Sequence, residues 1–117
     1  MNAAELRKLL LSWPGTSETL QWGNNRVFKV GSKMFAVSGY EPDSLYSFIV
    51  GAERFLELSD LPGFKPAPYF ARLKWVQVDE ENTELPPGAL EELLRDAYEI
   101  VFARLTKKLQ REIRPES

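Results

Sequence analysis

Apolar residues recur along this chain with two different periods, and the switches between them predict its elements. Leu6, Leu9, Leu10 and Trp13 fall at helical spacing. Asn2 followed by Glu5 resembles a capping box, and Pro14-Gly15 stops the pattern, so a first helix is expected over about residues 3–13. The period then shortens to two. Strand-like runs follow at about 26–30, 33–39 and 44–50, and LQW at 20–22 suggests a short edge strand. Gly31-Ser32 separates two of these runs as a tight turn with glycine at its first central position. That turn sets a register of Val30 opposite Lys33, Lys29 opposite Met34 and Phe28 opposite Phe35. Phe28, Val30, Phe35 and Val37 then share the face turned to the helices, while Val27, Lys29, Met34 and Ala36 share the open face.

Beyond these strands, GAERFLELSD predicts a helix of about two turns with Phe55 and Leu58 inward, and LPGFKPAP reads as a loop. RLKWVQV (72–78) is a further strand. Leu85-Pro86-Pro87-Gly88 then opens a long helix whose Leu90, Leu94, Ala97, Val101 and Leu105 form one stripe, with Glu91 and Arg95 spaced to pair. The order α, β-meander, short α, β, long α predicts an α+β two-layer sandwich. In it an antiparallel sheet carries the N- and C-terminal helices on one face, as one domain over 1–117.

Composition changes this picture mainly by exclusion. The 117 residues hold no cysteine and no histidine, which removes disulfides, thiolate metal sites and the usual nucleophile–base pairs. Any acid–base chemistry would fall to Tyr40, Tyr46 and Tyr69 with Glu41 or Asp43, and their spacing supports no such site, so a non-enzyme without cofactor is expected. No run is long enough to span a bilayer, and the amphipathic N-terminus lacks the form of a secretory signal. A cytoplasmic monomer is the expectation. The net charge of −2 opposes a broad basic surface but conceals local asymmetry, with DEENTE (79–84) acidic and RLTKKLQREIR (104–114) basic. DEENTE matches no calcium loop.

The ordered segments WPGTSETLQWG, VFKVGSKMFAV, PGFKPAPYFARLKWVQV and LPPGALEELLRDAYEIVFARLTKK resemble the MmcQ/YjbR-like family from about Leu6 to Leu109. The resemblance implies a compact fold similar to the bacterial frataxin homologue (CyaY-like, or double-wing) and a small DNA-binding protein. Members carry that functional label largely on grounds of fold. The chain departs from the family pattern at PYFARLKW, where Tyr69 stands in place of a histidine and Arg72 and Lys74 are the basic residues left. It also departs from the frataxins, whose first helix is acid-rich, because residues 3–13 contribute only Glu5; no metal is therefore expected.

The candidate binding surface combines hairpin and Trp75 strand: Trp22, Arg26, Lys29, Lys33, Arg72, Lys74 and Trp75. Cations of this kind contact phosphate, and aromatic rings stack on unpaired bases. The same residues also fit a plainer role, with the rings in the core and the cations guarding strand edges. An alternative partner is another protein, met by exposed aromatics and the PGFKPAPYF loop. Arg104, Lys107, Lys108, Arg111 and Arg114 would suit a basic arm docking on nucleic acid, but they read more simply as cations complementing the end of the last helix.

Overall fold

The computed structural model describes residues 1–39, 42, 44–68 and 70–115. Helix α1 spans Ala3–Leu11, and Asn2 closes its first turn by accepting from the Glu5 amide at 2.8 Å while the Glu5 carboxylate accepts from the Asn2 amide. Strands β1 (Thr16–Gln21), β2 (Asn25–Val30), β3 (Lys33–Ser38) and β4 (Leu45–Ile49) precede α2 (Ala52–Ser59). Then come β5 (Phe64–Pro66), a 3-10 turn (Ala71–Leu73), β6 (Trp75–Asp79), α3 (Pro87–Phe102) and α4 (Lys107–Ile113). The six strands form one antiparallel sheet in the order β1-β2-β3-β4-β6-β5. The α+β architecture and its terminal helices match the expectation. The edge strand expected at 20–22 is a full six residues that end at Gln21, with Trp22 in the turn beyond it, and the predicted loop around Phe64 contains β5, where Pro66 is tolerated because the strand lies at the sheet edge.

The hairpin register holds near its turn and then slips. Val30 faces Lys33 and Lys29 faces Met34, as the turn dictates, with Gly31 at φ +60°. Beyond them Phe28 pairs with Ala36, not Phe35, so Phe35 is an extra residue in a β-bulge. The Phe35 ring lies 5.8 Å from Tyr98 of α3 and 6.2 Å from Trp13, on the helix side. Ala36 follows Phe28 to that side, and Val37, expected there, moves behind the sheet opposite Val27. One continuous row, Glu18-Phe28-Ala36-Phe48-Val76, therefore faces the helices, and Thr19-Val27-Val37-Ser47-Gln77 forms the row behind.

That second face is covered. Val27, Val37, Ser47 and Gln77 are all buried, and the segment after β5 lays Phe70 between Trp22 and Trp75, at ring distances of 5.8 and 5.4 Å. On the helix side α1 buries Leu6 and Leu10, and α3 buries Leu90, Leu94, Ala97, Tyr98 and Val101. The expected single C-terminal helix is two helices. Thr106 caps α4 by accepting from the Leu109 amide, Gln110 donates to the Leu105 carbonyl at 2.9 Å, and the chain folds back there. Arg114 at the far end sits over the Phe102 ring and donates to Glu99 at 2.8 Å. Arg95 also pairs with Glu99, at 3.2 Å, instead of with Glu91.

Two ion-paired carboxylates make the fold acid-sensitive. Burial raises the affinity of Glu18 for a proton, but hydrogen bonds and charge from Arg7 and Arg26 outweigh it and hold its pKa below the ordinary value. Glu99 behaves likewise under Arg114 and Arg95. Because the folded-state values are depressed, both contributions are complete above the ordinary Glu pKa of about 4.3 and are lost as pH falls through the lower folded values. Glu18→Gln and Glu99→Gln are expected to flatten the fall in melting temperature below about pH 4.3, as thermal melts across pH would read.

Candidate functional site

Residues remote in sequence meet at the end of the sheet that carries the β2–β3 turn. Lys33 begins β3, Ile49 ends β4, Arg72 and Leu73 lie in the 3-10 turn, and Arg104 follows Ala103, the cap of α3. With Met34, Lys74 and Trp75 they line one groove of about 490 Å³. Four of its eight lining residues are cations, and no Asp or Glu is among them. Among the described residues none of Lys33, Arg72, Lys74 or Arg104 enters a salt bridge. Positive charge converging on a concave surface, over an apolar floor, focuses potential on anions even in a protein of net charge −2.

Local backbone chemistry explains the placement. The turn tip is packed, not free: a β-carbon on Gly31 would lie 3.1 Å from both Leu105 and Leu109. This packing brings the α3–α4 junction, and so Arg104, beside Lys33. Lys74 adopts the left-handed conformation, φ 66°, uncommon without glycine. Its amide donates to the Ala71 carbonyl and its own carbonyl accepts from the Val50 amide, each at 2.9 Å, so hydrogen bonds hold the conformation. The Lys74 ammonium lies 5.1 Å from the centre of the Phe55 ring. Trp22, at φ 51°, is the other non-glycine residue with positive φ among the described residues.

Of the seven residues expected to form the surface, the groove gathers Lys33, Arg72, Lys74 and Trp75. Trp75 is 2% exposed, so it forms the groove's wall and anchors Phe70 instead of offering a ring to a ligand. Arg72 and Lys74 precede the strand predicted to contain them. Lys29 is half-buried, one strand outward from Met34. Trp22 is 58% exposed and reaches Trp75 through Phe70. Arg26 lies apart, on the helix side of the sheet, bound to Glu18 at 3.3 Å. Sequence reasoning names Arg104 but leaves it with the end of the last helix, apart from the hairpin, because the leucine stripe runs past it as though one helix continued. The signal that could free it is Thr106, a capping residue inside that stripe. Tyr40, Glu41, Asp43 and Tyr69 lie outside the described residues, and Tyr46 is buried, which raises its pKa further above the ordinary phenol value.

A family model described as YjbR matches residues 11–100. The crystal structure of Deinococcus radiodurans protein DR2400, whose domain is described as DUF419, superposes with a TM-score of 0.83 at 28% identity, covering 96% of this chain and 87% of that one. A Pseudomonas syringae protein shares the fold at a TM-score of 0.69 and 19% identity, covering 86% of this chain and 98% of that one. No curated protein matches the chain. None of the helices among the described residues is long and apolar enough to cross a membrane.

Proposed function

The chain belongs to the YjbR family, and on that premise we propose that it is a small, non-enzymatic DNA-binding protein whose contact surface is the groove bounded by Lys33, Arg72, Lys74 and Arg104. The observation that carries this reading is the convergence of four cations from three separate parts of the chain, with no carboxylate lining the groove and no salt-bridge partner among the described residues. A strand edge protected against aggregation needs dispersed charge; it does not need cations gathered around one concavity. The left-handed Lys74 supports the same reading, since backbone strain of this kind concentrates at binding sites.

Phosphate binding releases counterions, so affinity falls steeply with salt. Short DNA followed by fluorescence anisotropy is expected to bind at low salt, with log Kd against log salt giving a slope of about 3–4 for four neutralised phosphates. A flat salt response, or no binding at low salt, would remove the proposal. The second reading, a protein-interaction module, rests on exposed Leu20, Trp22, Leu56 and Leu73. Its loop component is weaker, because Phe64 and Ala67 of PGFKPAPYF are buried. An apolar interface would be nearly indifferent to salt.

A further inference from the structure

We infer that the groove takes a single strand of nucleic acid, with its phosphates on Lys33, Arg72, Lys74 and Arg104 and a base stacked on Trp22; this rests on the DNA-binding reading and names the form of its ligand. Duplex readers insert a projecting helix or β-ribbon into a groove of the nucleic acid. The β2–β3 turn does not project, because Gly31 is pressed against Leu105 and Leu109. The cations instead line a concavity in the protein, the shape that tracks a flexible backbone.

The aromatic series supplies the second half of such a site. Trp22 is 58% exposed, and Phe70 supports its ring from the protein side at 5.8 Å. Phe70 in turn rests on Trp75 in the groove wall. A base on the outer face of Trp22 would thus be joined to the cationic groove through a continuous series of rings. Trp22 at φ 51° and Gly23 at φ 86° are successive residues of the β1–β2 turn, whose hairpin geometry calls for positive φ and sets Trp22 at the end of the edge strand with more than half of the residue exposed. Trp22 and Lys74, the two described non-glycine residues with positive φ, mark the stacking platform and the lip of the cationic groove respectively. In duplex DNA every base is already stacked and none is free for Trp22. An unpaired base is.

The test titrates fluorescent strands of about ten nucleotides, oligo-dT and oligo-U, and a mixed-sequence duplex of equal length, against wild type, Trp22→Ala and Trp22→Phe at one low salt concentration. Wild type is expected to bind the single strands more tightly than the duplex. Trp22→Ala should weaken single-strand binding by about 5- to 150-fold, the range for losing one stacked base, while Trp22→Phe recovers most of it and duplex binding stays unchanged. Oligo-dU, which differs from oligo-U only at the 2′ position, is titrated alongside, and the ratio of those two affinities identifies the sugar. Equal or tighter duplex binding, or single-strand affinity indifferent to both variants, overturns this inference and leaves DNA binding standing. If no strand binds at all, both fail. Circular dichroism checks that Trp22→Ala is folded; if it is not, Trp22→Leu, apolar and bulky but without an aromatic face, carries the comparison and should weaken single-strand binding in the same way.

Discussion

Phe28→Ala is expected to destabilise the protein by about 3–5 kcal/mol, the usual range for deleting a fully buried phenylalanine. Phe28 has no solvent exposure and lies second, inside the edge, in the row Glu18-Phe28-Ala36-Phe48-Val76, which faces the helices. Its cross-strand neighbours are Ala36 in β3 and Glu18 in β1, the latter held by Arg7 and Arg26, so no large apolar side chain stands directly opposite to swing into the space. A cavity left there stays largely open, which places the cost toward the upper part of that range. Urea unfolding should show a lower midpoint with an unchanged slope. Ala36→Val gives the converse test: extra volume beside Phe28 should also destabilise, by about 1–3 kcal/mol, through overpacking. A near-neutral result for both would mean that the bulge does not place them against each other.

The same pair shows how far the sequence could be read. The turn at Gly31-Ser32 fixes its nearest pairs, because glycine at φ +60° leaves the flanking residues one way to meet. Alternation should carry that register outward, but it carries information only where one face is polar. Here Phe35, Ala36 and Val37 are all apolar and all buried, the first two beneath the helices and Val37 on the second face, which is also covered. A bulge among three consecutive buried apolar residues leaves no trace in the pattern. The C-terminal helix misleads for a related reason. Leu105 continues the stripe of α3 across the break, although it packs on the hairpin turn, and only the cap at Thr106 separates the two helices. Lysines and arginines of the site were legible as residue types, but their grouping was not. Arg26 and Lys29 are three apart in one strand and lie on opposite faces, whereas Lys33 and Arg104 are remote in sequence and share a groove.

Lys33→Glu combined with Arg104→Glu is therefore expected to abolish DNA binding at moderate salt while leaving the fold intact. Both side chains are exposed, and neither has a salt-bridge partner among the described residues, so the fold does not depend on their charge. Surface changes of this sort typically move stability by about 0.5 kcal/mol or less. Binding responds differently, because two attractions become two repulsions inside a concavity that focuses the field. Neutral versions, Lys33→Gln with Arg104→Gln, should lower the salt slope by about two, one for each phosphate no longer neutralised. Arg26→Gln is the opposing control. It removes a cation of equal charge from the helix side, where the partner is Glu18, and should leave binding unchanged while costing a little stability in melts. Equal losses from Arg26 and from the groove pair would point to diffuse attraction over the whole surface. A loss confined to Lys33 and Arg104 would tie binding to the one place where the α3–α4 break delivers a cation to the hairpin.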